Sequence, residues 1–344
     1  MIRFLKFSSK TNFIVALFLL FVCTNISIAQ QKPGDDDPIV VDTNLVRLNV
    51  GVVNRQGQAI TNLAQSEFAI YEDGVKQTVK SFETNDAPFS VVMLLDVSGS
   101  TINFRKSLSL AALRFLEAIS PQDRVTVILF NEKTETVADF TTDRKRLAYG
   151  IERVEETRGG KTYLYEALKV ALEKLSKEGN RRKAIVVLTD GVDSQLKNDD
   201  RPLIKNAETN EQAVAYINPE TNAKLVSVLN TADKQGVTVY PLALPTGDPK
   251  RLPDPNPIQF ALYSTARERI KILANRTGGR LNVINNLGDL GSLYAEVAAD
   301  LRTLYSISYQ SSNTGKRDGK WRAIKIEVSR SELIARTKPG YYAK

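Results

Sequence analysis

Histidine is absent from the 344 residues, and there is a single cysteine. The first absence excludes Ser-His-Asp triads, Cys-His proteases, histidine-bearing zinc fingers and haem held by histidine. The second leaves Cys23 without a disulfide partner. Any metal site must therefore be made of oxygen donors. Neither G-x-G-x-x-G nor G-x-x-x-x-G-K-[ST] occurs, so the common nucleotide-binding fingerprints are missing. No dense Lys/Arg block stands out, which argues against nucleic-acid binding. What is present is ordinary for a globular chain, with 42% hydrophobic and 25% charged residues. Wholesale disorder, collagen and a multi-span membrane protein are excluded on that composition. The length suits two domains, or one large domain with an appendage.

The first residues read as a targeting signal. Arg3, Lys6 and Lys10 precede an unbroken apolar run from Phe13 to Val22, and Ser27-Ile28-Ala29 offers small residues at a cleavage site. The run is shorter than the roughly 20 residues a membrane-spanning helix needs. Residues 1–29 are therefore expected to be a signal peptide, with Cys23 inside it. Val22 stands where a lipidated cysteine would need a small residue. Loss of the three basic residues lowers the net charge from +8 to +5. The expected location is exported: secreted, periplasmic or at the cell surface, with no integral span after cleavage.

Residues 30–39 (QQKPGDDDPI) read as a flexible leader. Residues 40–86 have β texture: Val46, Leu48, Val50 and Val52 alternate with polar residues or glycine, and Glu72-Asp73-Gly74 is a hairpin turn. Over 87–302 the pattern changes to apolar strands alternating with amphipathic helices. The strands are Phe89–Leu95, Val125–Phe130, Ala184–Leu188, Val237–Leu242 and Arg280–Ile284, with Thr136–Phe140 at an edge. Helices are expected over 103–119, 163–175, 225–234, 268–275 and 287–301. β-Branched runs separated by helices predict a doubly wound, mostly parallel sheet with helices on both faces, an α/β fold. Residues 194–220 and the proline-rich 245–262 interrupt the alternation and are expected to be surface loops. Residues 303–344 return to β texture. Neither flank has enough strands to stand alone, so the two are expected to pack together as one small β-sandwich.

Chemistry-bearing residues cluster at strand ends. Phe89–Leu95 runs into Asp96-Val97-Ser98-Gly99-Ser100, and Ala184–Leu188 runs into Thr189-Asp190-Gly191. In an open α/β sheet, ligands bind outside the carboxyl ends of the strands. Gly159-Gly160-Lys161-Thr162 opens a helix between them and adds a third hydroxyl. Taken singly, the Ser and Thr residues suit helix caps and the Asp residues suit turns. Together, Asp96, Ser98, Ser100, Thr162 and Asp190 make an oxygen-donor set suited to Mg2+, Mn2+ or Ca2+. Asp193 reads as a solvated turn residue, and Tyr163 and Tyr165 as packing or rim residues.

These segments resemble the von Willebrand factor type A (VWFA) domain with its metal-ion-dependent adhesion site (MIDAS). Asp96, Ser98 and Ser100 match its D-x-S-x-S motif. Thr162 to Leu168 resembles its T-x-L-Y-D-A-L segment, and Thr189-Asp190-Gly191 matches T-D-G. One departure is that Lys161 stands between the glycine pair and Thr162. The flanks, through LAQSEFAIYEDG (63–74), Thr277-Gly278-Gly279, YSISY (305–309) and Pro339-Gly340-Tyr341-Tyr342, resemble a bacterial family of exported VWFA-related proteins.

The resemblance implies a Rossmann-like fold and a divalent cation, Mg2+ before Mn2+ or Ca2+. It implies that Ser98, Ser100 and Thr162 coordinate directly, and Asp96 and Asp190 directly or through water. Neutral hydroxyl ligands would leave the metal electron-poor, favouring an exposed Asp or Glu of a partner protein. The expected function is thus an exported, adhesion-type protein-binding module rather than an enzyme. The alternative is a metal-independent structural or assembly scaffold of the cell envelope. A metallohydrolase would need Asp or Glu as its base.

Overall fold

The computed structural model describes residues 45–84, 87–313 and 318–343. The expected signal peptide and leader lie outside the described residues.

The central sheet has six strands: β5 (Phe89–Asp96), β6 (Arg124–Phe130), β7 (Thr134–Thr141), β8 (Arg182–Thr189), β9 (Val237–Ala243) and β10 (Asn282–Val283). Their spatial order is β10-β9-β8-β5-β6-β7. All neighbours pair in parallel except the edge strand β7. β5, β8 and β9 are buried along their whole length, which is why they read as unbroken apolar runs.

Alternate side chains feed two cores. Val91, Met93 and Leu95 face α1 (Arg105–Ala118), α2 (Arg144–Glu156) and α8 (Leu290–Thr303). Val92 and Leu94 face α3 (Leu164–Ser176), α6 (Ala223–Gln235) and α7 (Pro257–Thr277). This is the doubly wound α/β layering expected from the sequence.

The flanks build a β-sandwich of two four-stranded sheets. One has the order β13-β1-β11-β4 and the other β14-β12-β2-β3. Here β1 is Leu45–Val53, β2 Phe68–Glu72, β3 Val75–Gln77 and β4 Val79–Glu83. From the other end of the chain come β11 (Tyr305–Gln310), β12 (Trp321–Val328), β13 (Ile334–Arg336) and β14 (Gly340–Tyr342). Each sheet takes strands from both flanks: β1 pairs with β11, and β2 with β12. Leu48, Val50, Ile70, Tyr305 and Ile307 fill the space between them, and Phe68 meets the edge of Tyr305 at 5.1 Å. Among the described residues no helix is long and apolar enough to cross a membrane.

The two expected surface loops are instead partly helical. Residues 194–220 contain α4 (Ser194–Asp200) and α5 (Asn210–Ala215). Their apolar residues are few, but Ile204, Ala213 and Ile217 bury against Ala261 and Leu262 as a satellite core. A segment with so little periodicity of its own becomes helical through tertiary packing. Residues 245–262 form two short 3-10 turns and then the start of α7. Pro257 sits in its first turn, where no amide partner is needed, and Asn256 caps it by accepting from Gln259 N. The helix expected over 268–275 is therefore 21 residues long. At 280–284 only Asn282–Val283 pairs as a strand, and a 3-10 turn over Gly99–Phe104 precedes α1.

One buried acid ties the sandwich together. Glu72, fully buried, accepts from Tyr309 Oη (2.7 Å), Ser311 Oγ (2.6 Å), Asn313 Nδ2 (2.9 Å) and Tyr341 Oη (3.0 Å). Burial alone would raise its pKa, but these donors hold it below the usual value. Glu72→Ala would leave the buried Tyr309 and Ser311 hydroxyls without their acceptor. The expected cost is about 3 kcal/mol, to be read from urea unfolding of the variant beside the wild type.

Candidate metal centre

β5 and β8 are hydrogen-bonded neighbours, with Leu95 opposite Leu188. This register delivers two acids to the same edge of the sheet: Asp96 as the last residue of β5, and Asp190 just past Thr189, the last residue of β8. Thr189 Oγ1 donates to Asp96 Oδ2 at 2.7 Å, and Ser98 N donates to Asp96 Oδ1 at 2.9 Å. Ser98 Oγ and Ser100 Oγ lie 3.1 Å apart, and Ser100 Oγ donates to Asp190 Oδ2 at 2.6 Å. Val192 N donates to Asp190 Oδ1 at 2.9 Å. The turn after Asp190 needs Gly191, whose φ is +83°.

Thr162 reaches the site through its backbone. Gly99 N donates to Gly160 O at 2.9 Å, which locks the glycine loop onto the Ser98–Ser100 turn. Thr162 N donates to Ser194 Oγ at 3.1 Å, and Ser194 N donates to Thr162 O at 2.8 Å. No hydrogen bond engages the Thr162 hydroxyl among the described residues. The backbone N–H of the extra Lys161 donates to Glu132 Oε2 at 3.1 Å. Asp96, Ser98, Ser100 and Asp190 thus form one bonded set; Thr162 is clamped to Ser194 by two hydrogen bonds, and its loop is tied to the set's turn through Gly160 and Gly99. Only Ser100 is exposed; the other four are buried.

Two carboxylates share this interior. Burial first, then the neighbouring Asp190 charge, pushes Asp96 up to about 7. Burial also raises Asp190, against the pull of Ser100, Val192 N, Arg267 and Lys197. Arg105 is buried nearby but spends its guanidinium on Val97 O (2.7 Å) and Val154 O (3.4 Å) rather than on a carboxylate. Among the described residues no Lys or Arg nitrogen is bonded to either acid. Nor is there a group of three or more Cys, Asp or Glu able to hold a metal. A cation here would rest on two carboxylates and three hydroxyls. Hard, small divalent ions suit such a donor set, so the residues present fit the group.

Some residues were assigned too little. Asp193 is not solvated. It is 2% exposed, accepts from Gln195 N and Leu196 N as the cap of α4, and also from Tyr165 N at 3.3 Å. Its position before Ser194-Gln195-Leu196 carried a cap signature, but α4 itself was not foreseen. Thr189, Ser194 and Arg105 also support the site. Thr189 lies in the T-D-G motif, whereas nothing in the local sequence marks Ser194 or Arg105, because each acts across elements.

Residues 91–192 match the family model described as the von Willebrand factor type A domain. This chain carries a von Willebrand factor type A domain. Several solved structures are similar to the chain. An aerotolerance-related membrane protein from Bacteroides fragilis is 15% identical, with 62% of this chain and 98% of that chain covered and a TM-score of 0.41. The vWF domain of the type V pili tip protein Mfa5 from Porphyromonas gingivalis is 16% identical, with coverages of 62% and 94% and a TM-score of 0.45. Proximal thread matrix protein 1 from the mussel byssus, solved with a zinc-occupied MIDAS motif, is 12% identical, with coverages of 66% and 48% and a TM-score of 0.44.

The electrostatics of the VWFA rim carry a pH signature. Asp96 is raised from its usual 3.8 to about 7, so between those values the folded state binds a proton that the unfolded chain has lost. Stability from this group therefore falls as pH rises from about 4 to 7, and levels off above. In EDTA, the wild type should lose stability relative to Asp96→Asn across that window. Thermal unfolding of both proteins at pH 5 and pH 7.5 checks it; a constant difference would show that Asp96 titrates normally.

Proposed function

We propose that the protein is an exported, metal-ion-dependent protein-binding module, and not an enzyme. One observation carries this reading: two buried acids at adjacent strand ends, bridged only by hydroxyl and amide donors, with the unbonded Thr162 hydroxyl held beside them. Asp96, Ser98, Ser100, Thr162 and Asp190 would hold the ion, Mg2+ before Mn2+ or Ca2+. When bound, it would relieve the repulsion between the acids and offer an electrophilic position to an Asp or Glu of a partner protein. The rest of the chain supplies orientation. Thr189 and Ser98 N fix Asp96, Val192 N fixes Asp190, and Ser194 fixes the Thr162 loop. Catalysis finds no support in the residue set: histidine is absent, and both acids are already engaged. The basic, apolar and small-residue pattern of residues 1–29 supports export to the periplasm, cell surface or medium.

A metal-independent scaffold of the cell envelope is the second reading. Its support is that the Ser100–Asp190 and Thr189–Asp96 bonds already satisfy part of the site without an ion. Thermal unfolding in EDTA and then in Mg2+, Mn2+ or Ca2+ separates the two, with Ser98→Ala/Ser100→Ala as the control. A ligand at 100 times its Kd should stabilise by about 2.7 kcal/mol. The metal-dependent reading expects an upshift that the double variant lacks. No shift at millimolar ion would favour the scaffold.

A further inference from the structure

Beyond Asp190, the next helix and α7 enclose a positively charged hollow. Directly after Asp190 the chain enters α4, with Lys197 about one turn along it. α7 passes the same point: a Cβ added at Gly191 would lie 3.0 Å from Ile270 and 3.6 Å from Ala266 O. The turn at 245–247 closes over Asp190, because a Cβ added at Gly247 would lie 1.9 Å from its carbonyl oxygen. One turn before Ala266, Tyr263 faces α4, and the Lys197 ammonium sits 5.7 Å from its ring centroid. Between the two helices lies a cavity of about 270 Å³ whose lining includes Lys197, Arg201, Gln259, Leu262 and Tyr263.

The charges of this cavity are not spent. Neither Lys197 nor Arg201 has an ion-pair partner among the described residues. The acids on the same helix are engaged elsewhere: Asp199 with Lys224 at 3.5 Å, and Asp200 with the buried Arg269 at 2.5 Å. The cavity therefore offers two cations, a side-chain amide and an apolar wall of Leu262 and Tyr263. That combination suits a carboxylate at the end of a methylene stem. It is the same chemical class that an ion at the rim would attract, and Lys197 is near enough for its charge to act on Asp190.

We propose that this cavity is a second carboxylate subsite, and that the partner is an acidic peptide segment. One carboxylate meets the Asp96/Ser98/Ser100/Thr162/Asp190 rim, and the next enters between Lys197 and Arg201. The proposal rests on the metal-dependent reading above and adds the chemistry of what is recognised: clustered acids rather than a lone Asp or Glu. The α4–α7 contact, through Lys197 on Tyr263 and Asp200 with Arg269, is the device that holds the cavity in shape.

The test is fluorescence anisotropy with labelled hexaglutamate as the probe, on the purified protein in Mg2+ and in EDTA. Lys197→Glu/Arg201→Glu should weaken binding about tenfold or more while the protein still shows a Mg2+-dependent thermal upshift. Lys76→Glu/Lys80→Glu, on the exposed surface of the sandwich, carries the same charge change and should bind as wild type. Equal weakening by both pairs would reduce the effect to net charge and overturn the subsite. So would wild-type binding by the Lys197/Arg201 variant, or no hexaglutamate binding by the wild type. If the wild type shows no metal upshift, the metal-dependent reading fails. Binding that persists in EDTA and is lost only in Lys197→Glu/Arg201→Glu would then still assign the cavity to an acidic peptide.

Discussion

The parallel pairing of β5 with β8 is the constraint on which the rest of the site depends. It sets two buried carboxylates side by side at the carboxyl ends of largely apolar strands. Each acid raises the cost of ionising the other, and burial amplifies both effects. The surrounding residues answer that problem. Thr189, Ser100 and two backbone amides supply donors, and Lys197, Arg267 and Arg105 supply distant positive charge. None of these cations bonds to an acid, so burial and mutual repulsion leave both carboxyls with raised pKa values. The proposed ion site draws on that electrostatic imbalance rather than on any single motif.

The sandwich is built so that it cannot form before both ends of the chain are present. β1 lies beside β11, and β2 beside β12, so each sheet joins residues more than 200 positions apart in the sequence. The sandwich is also fastened to the α/β domain. Asn49 Nδ2 donates to Thr238 Oγ1 at 2.8 Å, Lys338 pairs with Asp233 at 3.0 Å, and the Arg276 guanidinium stacks 4.4 Å from the Trp321 ring centroid. Lys338 and Asp233 are both nearly buried, so this contact is a structural joint rather than a surface ion pair. The rim draws on other segments, the ends of β5 and β8 and the starts of α3 and α4.

How much of this was legible follows from where each signal resides. β5, β8 and β9 could be read directly, because strands buried on both faces must be continuously apolar. The period-2 alternation of β1 and β12 was equally plain, since one face of each meets the sandwich core. α4, α5 and the first half of α7 were not legible. Their polar, proline-containing sequences gain a buried face only after Ile204, Ala213 and Ile217 find Ala261 and Leu262. Asp193 was misjudged for the same reason. Its role as a buried cap exists only once α4 has formed and Tyr165 has been brought alongside.

The sequence by itself determined the α/β alternation, the pairing of the β flanks and the five candidate ligands at strand and helix ends. These depend on local periodicity and on residue types at short spacing, which a linear chain displays. Tertiary structure alone decided that Asp96 and Asp190 are buried neighbours, that Ser194 clamps the Thr162 loop, and that Lys197 and Arg201 stand between α4 and α7. Those are distances between segments remote in sequence, and they arise from strand register and helix packing. Burial and charge coupling depend on such distances, so the electrostatic character of the rim emerges only when the chain has folded.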